Sequence, residues 1–304
     1  MEIKIFIVSS ENSGLRLDKF LSNELEDVSR TQIQDIIKDK KVTVNREVVK
    51  ASYVVCENDE VEITIPDPVV IDILPENIPL DVYYEDSDLI VVNKQSGMVV
   101  HPAVGNFTNT LVNALMYHCK DLSGINGVIR AGIVHRIDKD TSGLLVSCKN
   151  DFAHRALSEQ FFHKTVKRKY YAICYGVIEH NYGKIDAPIG RDTVNRQRMG
   201  VVSGGKHAIT HFKVIERFKD FTLIECELET GRTHQIRVHM AYIGHPVVGD
   251  PLYGPKKVIG DKGQYLHAKT LGFVHPRTNE FLEFVSPLPD YYEEFLNELR
   301  LNNK

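Results

Sequence analysis

The pattern of hydrophobic and polar residues divides the chain into a short first part and a longer second part. In the first part, LDKFLSNEL and SRTQIQDIIKD have the apolar spacing of amphipathic helices, and KVTVN and DEVEITI alternate apolar and polar residues as half-buried strands do. The run PDPVVIDILPENIPLD, spaced by prolines and acids, indicates a linker with one extended segment. We therefore predict a small domain at residues 14–75.

Residues 76–304 have the pattern of a larger domain with many strands and a few helices. The predicted strands include LIVVNK, LLVSCK, YYAICYGVI, HAITHFKVIERF and FTLIECEL, and the predicted helices are NTLVNALMYHC, FAHRALSEQFF, THQIRVHMAYIG and DYYEEFLNELR. Thr233 is the predicted N-cap of the third helix. Because long helices do not alternate regularly with the strands, we predict an α+β fold with a mainly antiparallel mixed sheet flanked by helices.

The composition is that of an ordinary globular protein. Of the 304 residues, 42% are hydrophobic and 26% are charged, and no uncharged apolar run approaches the ~20 residues that span a bilayer. The first residues, MEIKIFIVSSENSG, lack the basic segment, apolar run and cleavage site of a secretory signal. Five scattered cysteines without a CxxC pair argue against disulfides and a zinc ribbon. We therefore expect a cytoplasmic protein without a membrane partner.

The overall charge gives no indication of a polyanionic partner, since the net charge is −4 and the isoelectric point is near 6.4. Nucleic acid is bound by local patches, however, and not by the whole chain. Two segments, HKTVKRKYY and RDTVNRQRMG, contain many cations and few acids. Taken alone, they fit either a nucleic-acid surface or a solvated charged face.

The stretch HRIDKDTSG concentrates acids, bases and hydroxyls and first suggests a calcium loop. Asp138 and Asp140 fit the opening of an EF-hand, but the position of the bidentate glutamate holds Lys149, which would repel the ion. The segment GVVSGGKH has the glycine and lysine spacing of a phosphate-binding loop, but it ends in His207 where a hydroxyl residue should hold magnesium. We predict neither a metal nor a nucleotide cofactor.

Four segments together resemble one known family. GMVVHP, GIVHRIDKDTSGLLV, KRKYYAICYG and TGRTHQIRVHMAYIGHPVVGDPLYG are similar to the motifs of the RluA-type pseudouridine synthases, most of all to the RluD branch that modifies large-subunit ribosomal RNA. The segments RLDKFL, SRTQIQDII and VTVN resemble the S4 domain, a small RNA-binding module. At two turns where that module usually has glycine, this chain has Lys40 and Arg46, so we expect the turns to differ, because glycine permits positive φ.

The resemblance implies that a uridine in RNA is converted to its C-glycoside isomer, without a cofactor. It assigns Asp138 as the essential carboxylate, which either attacks the sugar or removes a 2'-proton to give a glycal. Arg237 is the implied partner that keeps this acid charged and oriented. Tyr170 would lie over the uracil and serve proton transfer from C5, and Arg136 would insert where the flipped base had been. We expect His135 only to pack or to form a hydrogen bond.

RNA contacts are expected in both domains. The expected residues are Arg16 and Arg30 in the small domain and Arg136, Lys167, Arg168, Lys169, Arg191, Arg196 and Arg198 in the large one. The expected partner is large-subunit ribosomal RNA or its assembly intermediate, bound by a monomer without a small-molecule cofactor. The alternative is a catalytically inactive RNA-binding ribosome-assembly factor on the same fold, which would be expected to lack at least one of Asp138, Tyr170 and Arg237.

Overall fold

The computed structural model describes residues 2–25, 28, 30–65, 73–103, 106–125, 127, 130–192, 195 and 198–302. The chain divides into two compact units, Met1–Asp72 and Ile73–Lys304. Among the described residues, every helix is too short or too polar to cross a membrane.

The first unit is a four-stranded antiparallel sheet packed against two helices. Its elements are β1 (Glu2–Ile7), α1 (Leu17–Glu24), α2 (Arg30–Lys38), β2 (Val42–Val44), β3 (Glu47–Val48) and β4 (Glu60–Ile65). The strand order is β1-β4-β2-β3. Leu17 and Phe20 of α1 and Ile33 of α2 are buried together with Val61 and Ile63 of β4. Strand β1 pairs with β4, so the unit includes a strand that precedes residue 14.

The two turns with Lys40 and Arg46 keep the left-handed backbone that glycine usually provides. Lys40 has φ 59° and Arg46 has φ 70°. The expectation that these turns would differ was wrong in this respect. The side chains of both residues are exposed, so each turn presents a cation to solvent at a modest cost in backbone strain.

The second unit is built on a nine-stranded mixed sheet. Its strands are β5 (Asp81–Glu85), β6 (Leu89–Lys94), β7 (Ser142–Cys148), β8 (Lys167–Tyr175), β9 (Tyr182–Asp186), β12 (Ile209–Arg217), β13 (Phe221–Leu228), β14 (Leu266–Val274) and β15 (Phe281–Val285), and a separate hairpin is formed by β10 (Ile189–Arg191) and β11 (Met199–Val201). The order is β5-β6-β7-β14-β8-β13-β12-β9, with β15 on β14. Of the described pairs, only β7 with β14 is parallel, which confirms the predicted α+β fold with a mainly antiparallel sheet.

Four helices accompany this sheet. They are α3 (Leu111–His118), α4 (Asp151–Phe162), α5 (Gln235–Tyr242) and α6 (Asp290–Asn302). Helix α4 packs through Ala153 and Leu157 with β6, β7 and β14, whereas α6 packs through Tyr292 and Leu296 with β8 and β13. These two apolar clusters hold α4 and α6 against the sheet.

The start of α5 differs from the prediction. The N-cap is His234, in the left-handed region at φ 58°, and its side chain makes no capping hydrogen bond, so the assignment of Thr233 as N-cap was wrong. The turn before the helix is closed instead by Gln235, whose Oε1 accepts from the Thr230 hydroxyl at 2.7 Å and from the Arg232 N–H at 3.0 Å. This turn leaves the ring of His234 beside the cavity described below.

Candidate active site

The loop between residues 136 and 141 brings Asp138 against helix α5. Nη1 of Arg237 donates to Oδ2 of Asp138 at 2.9 Å, although the two residues are 99 positions apart. The Asp138 side chain is 18% exposed and that of Arg237 is 5% exposed. The predicted carboxylate and guanidinium therefore meet at the wall of a cavity, with the acid still accessible to a ligand.

A second carboxylate fixes the other edge of the guanidinium. Asp250 accepts from Nε of Arg237 at 2.6 Å and from Nη2 at 2.9 Å, and its Oδ1 also accepts from the N–H groups of Leu252 and Tyr253. Burial alone would lower the pKa of Arg237, but the hydrogen bonds and charges of Asp250 and Asp138 outweigh it and raise that pKa. Arg237 therefore stays charged and is held in one orientation.

Tyr253 connects this pair to the β10–β11 hairpin and to His234. Two guanidinium groups contact its ring, with Cζ of Arg198 at 5.0 Å and Cζ of Arg237 at 5.1 Å from the ring centroid. Its hydroxyl accepts from the Met199 N–H at 2.9 Å and is 2.9 Å from Nδ1 of His234. Burial lowers the pKa of His234, whose Nε2 lies 3.9 Å from Oδ1 of Asp138.

The Asp138 loop is anchored from beneath by Lys94 of β6. Its buried ammonium donates to the carbonyl oxygens of Gln95, Met98 and Lys139 at 2.7–2.9 Å. Burial lowers the pKa of Lys94 to about 7, against the opposing effect of nearby carboxylates. Since the carbonyl of Lys139 adjoins Asp138 in the loop, Lys94 restricts where the carboxylate can lie.

His135 has a structural environment. The Val146 N–H donates to its Nε2 at 3.0 Å, and its ring stacks on Phe161 with centroids 4.5 Å apart. Burial lowers the pKa of His135 to about 3. These contacts agree with the expectation that His135 packs and forms a hydrogen bond.

Asp138 lines a cavity of about 620 Å³. This volume is within the range of ~300–1,000 Å³ that ligand clefts occupy. Its lining includes Tyr170 as well as Asp138 and Arg237, so the structure brings all three predicted catalytic residues together. Tyr170 is 8% exposed, and burial raises the pKa of its phenol. Arg136 is exposed at the same cavity.

The cations expected to bind RNA in the second unit differ in their placement. Arg168 lines the cavity, with Cζ 5.5 Å from the ring centroid of Phe161. Lys167 and Lys169 instead pair with Glu283 and Glu225 at 2.6 and 2.7 Å and are not part of the cavity lining.

The three arginines around the β10–β11 hairpin also have distinct positions. Arg191 is exposed in β10, and Arg198 lies on the ring of Tyr253, just before β11. Arg196 lies outside the described residues. Arg198 at the hairpin and Arg237 of α5 therefore contact the same ring, that of Tyr253.

Arg16 and Arg30 in the first unit form ion pairs with the buried carboxylate of Asp18, at 3.1 and 2.9 Å. Gln34 also donates to Asp18, at 2.6 Å. Burial would raise the pKa of Asp18, but these hydrogen bonds outweigh it and hold the pKa well below its usual range. Both arginine side chains remain 50% exposed, so they can also face a ligand.

Two groups of described residues have the donor atoms of a metal site, and both lie outside the cavity. In one, Glu85 pairs with Lys149 and lies 2.8 Å from His118. In the other, Asp88 accepts two hydrogen bonds from Arg277. Because cationic side chains already neutralise these acids, we assign no metal to either group.

Comparison with known proteins identifies the family. Residues 88–242 match the family described as RNA pseudouridylate synthase, and residues 15–61 match the S4 domain. The chain belongs to the RNA pseudouridine synthases. Like the other members of this family, it is an isomerase, and it carries an S4 domain ahead of its catalytic domain.

Relatives of this synthase match it over almost its whole length. It is 59% identical to an uncharacterized RNA pseudouridine synthase, YlyB, of Bacillus subtilis, over 97% of each chain. It is 44% identical to ribosomal large subunit pseudouridine synthase D of Zymomonas mobilis, over 98% of each. Among solved structures, human RNA pseudouridylate synthase domain containing 1 is similar with a TM-score of 0.55 and 25% identity, covering 77% of this chain and 98% of the human one.

Three residues of the synthase's site were not assigned from the sequence. Asp250, Tyr253 and His234 all lie within the third motif, TGRTHQIRVHMAYIGHPVVGDPLYG. An acid between glycine and proline in GDPLYG is a signal for a turn whose carboxylate accepts backbone N–H groups, and Asp250 does so. Its second role, holding Arg237, has no signal in the local sequence.

Proposed function

We propose that this RNA pseudouridine synthase isomerises specific uridines of large-subunit ribosomal RNA, and that Asp138 is its essential carboxylate. The observation that carries the proposal is the hydrogen bond from Arg237 to Asp138 at the wall of the cavity that Tyr170 also lines. The name of the Zymomonas relative, a ribosomal large subunit pseudouridine synthase, supports the choice of RNA.

The buried pair explains how a carboxylate can react inside a protein. Burial penalises a charged carboxylate, but an opposite charge within about 4 Å favours the ionised form. Arg237 supplies this charge from one side and is itself held by Asp250 from the other. Asp138 lines the cavity, so its carboxylate would face the ribose of a bound uridine, for attack on the sugar or removal of a 2'-proton.

The uridine must leave the RNA helix to reach this carboxylate. A stacked or paired base cannot approach Asp138 at the wall of a cavity, and eversion costs a few kcal/mol. Tyr170 lines the cavity, so its ring would support the uracil and its phenol would serve the proton transfer from C5. Arg136, which is exposed at the cavity, would fill the gap that the everted base leaves in the RNA.

The remaining cations would provide affinity that depends on salt. Arg168 at the cavity and Arg191 and Arg198 at the hairpin can contact phosphates, and the S4 domain with Arg16 and Arg30 would add a second RNA contact. We propose that the enzyme acts in the cytoplasm as a monomer, on free ribosomal RNA or an assembly intermediate, without a cofactor.

The alternative of a catalytically inactive assembly factor is less well supported. A factor that only binds RNA has no need to retain the carboxylate, the guanidinium and the tyrosine together. In this chain all three are present and line one cavity. This placement favours the active enzyme.

The test is a map of pseudouridines in ribosomal RNA from a strain that lacks the protein and from its parent. We expect one or more large-subunit positions to remain uridine in the deletion strain, and to be modified again when the gene is restored on a plasmid. Identical maps in the two strains, with no second enzyme serving the same positions, would contradict the proposed substrate.

A further inference from the structure

A second aromatic surface lies at the mouth of the same cavity. Phe162, the last residue of α4, lines the cavity while its side chain is 81% exposed. A single exposed apolar side chain is ordinary on a protein surface. Its position beside a cavity that would receive an everted nucleotide is the feature that suggests a ligand.

The backbone that presents Phe162 is fixed by the way α4 ends. The Thr165 N–H donates to the Gln160 carbonyl at 3.0 Å, and the Lys164 N–H donates to the Phe161 carbonyl at 3.3 Å. These two bonds form a Schellman motif, which places Lys164 in the left-handed region at φ 60°. The ring of His163 packs edge-on against that of Phe162, with centroids 5.1 Å apart, and Lys164 lines the same cavity as the exposed ring.

The same helix end is tied to the sheet and to the Asp138 loop. The side-chain amide of Gln160 donates to the Val274 carbonyl at 2.7 Å and accepts from the Val274 N–H at 2.9 Å. Phe161 stacks on His135, three residues before Asp138. Phe161 thus faces inward and holds the loop, while its neighbour Phe162 faces outward on a rigid support, which lowers the entropic cost of binding a flat ligand.

The charges around the cavity indicate which flat ligand this is. Arg136, Lys164, Arg168 and Arg232 all line it, so its surroundings attract a polyanion. In RNA, every base offers an aromatic face, and a base next to an everted nucleotide has lost one stacking partner. An aromatic ring beside a lysine therefore fits a base together with its phosphate.

Resting on the proposed function, we propose that Phe162 and Lys164 form a stacking subsite for an unpaired RNA base that neighbours the everted uridine, with Lys164 on the adjoining phosphate. Phe162 holds the flanking strand on the α4 side of the cavity, whereas Arg136 occupies the gap left by the uridine. The subsite contributes to affinity and site choice and not to bond making or breaking.

The test compares the full-length variants Phe162→Leu, Phe162→Trp and Phe152→Leu. Phe152 is the matched control, because it is a half-exposed phenylalanine on the same helix but does not line the cavity. One probe is an unmodified in vitro transcript of large-subunit ribosomal RNA, and the others are short hairpins around each uridine that the map identifies. Equilibrium Kd is measured with Asp138→Asn added to every variant, and KM and kcat are measured with Asp138 intact.

We expect Phe162→Leu to raise Kd and KM about 5- to 150-fold, the loss of one stacked base, while kcat at saturating RNA changes less than threefold. Phe162→Trp should bind as well as the wild type, and Phe152→Leu should match the wild type in every parameter. In hairpins with single abasic residues, one flanking position should weaken binding of the wild type but not of Phe162→Leu.

Three results would overturn the subsite. The first is a Kd of Phe162→Leu within twofold of that of Phe152→Leu. The second is an abasic scan in which the wild type and Phe162→Leu lose affinity equally at every position. The third comes from repeating the Kd measurement with ribosomal particles: a loss of affinity for the particles but not for naked RNA would assign Phe162 to a protein contact.

The subsite and the proposed function fail separately. If the wild type formed no pseudouridine but Phe162→Leu weakened RNA binding as described, the subsite would stand and the proposed function would fall. If the wild type formed pseudouridine and Phe162→Leu behaved like Phe152→Leu, the proposed function would stand and the subsite would fall.

Discussion

Replacing Asp250 with asparagine tests whether the orientation of Arg237 matters for the reaction. Asp250 is 1% exposed and does not line the cavity, so the substitution removes no group that would touch the RNA. Asparagine has nearly the same shape as aspartate. Its Oδ1 can still accept from the Leu252 and Tyr253 N–H groups, but its NH₂ group would replace the oxygen that accepts from Nε of Arg237.

The size of the effect follows from the contacts that are lost. Asp250→Asn removes a charge-assisted hydrogen bond, which contributes about 1.5–3 kcal/mol, and sets two donors against each other. It also leaves the buried guanidinium with Asp138 as its remaining carboxylate partner among the described residues. We expect a loss of about 3 kcal/mol in the free energy of unfolding, or a fall in Tm of about 6–12 °C for a unit of this size.

The reaction should suffer as well, because the guanidinium is free to turn. Displacing a positioned catalytic group by about 1 Å can reduce the rate about 100-fold. We expect kcat of Asp250→Asn to fall about 10- to 100-fold, measured as tritium release from RNA labelled at C5 of uridine, below the Tm of the variant.

Asp88→Asn is the matched control. Asp88 is also buried and also accepts two hydrogen bonds from one arginine, Arg277, but neither residue lines the cavity. This variant should lose stability while its kcat stays within twofold of the wild type. If Asp250→Asn kept its kcat to the same extent, Asp250 would be only a structural partner, and the reasoning about Arg237 would be refuted.

Three further variants test other parts of the account. Arg237→Lys keeps the charge but not the donor fork, so kcat/KM should fall at least about 100-fold in single-turnover assays; a loss below fivefold would contradict this. The lowered pKa of Asp18 means that its contribution to stability is present above about pH 3.8, its unperturbed value, and is lost as the pH falls toward the folded-state value. The protection factors of the α1 and α2 amides in the full chain, which correct for the intrinsic pH dependence of exchange, should fall over that interval, and Asp18→Asn should abolish this fall; equal profiles would refute it. Deleting residues 1–72 should raise KM for the natural RNA more than it lowers kcat, and unchanged kinetics would remove the targeting role of the S4 domain.

Much of the fold follows from local patterns in the sequence. The alternation in DEVEITI and the apolar run LIVVNK correspond to β4 and β6, and the helical spacing of FAHRALSEQFF corresponds to α4. The parallel pairing of β7 with β14 has no such signal, because it joins Ser142 to His267 across 125 positions. Strand β1 lies ahead of the predicted small domain, although EIKIFI alternates apolar and polar residues like its partner β4.

The side-chain placement along β8 could have been predicted more fully. Successive residues of a strand face opposite sides, so Arg168 and Tyr170 share the face at the cavity, and Lys167 and Lys169 share the other face with their acidic partners. The three consecutive cations at residues 167–169 therefore do not form one patch, because the alternation of the strand divides them between two faces.

The contacts of Asp138 and Arg237 illustrate what the sequence alone does not predict. Family motifs located Asp138 and Arg237, but a motif does not state which atoms meet. That Asp250 holds the second edge of Arg237, and that Tyr253 joins Arg237 to Arg198, depends on how α5 packs against the turn at residues 250–253. These contacts are tertiary and are not encoded in any local spacing.

The most direct measurement of the central claim is the rate of pseudouridine formation by Asp138→Asn under single-turnover conditions, together with its Kd for the same RNA. The substitution preserves the shape of the side chain and removes its charge, and the amide oxygen can still accept the hydrogen bond from Arg237. We expect no detectable product and a Kd within about threefold of the wild type, since the proposed role of the carboxylate is to act on the sugar, whereas contacts with phosphates would supply most of the affinity. Product formation at a rate comparable to that of the wild type would show that Asp138 is not the essential carboxylate.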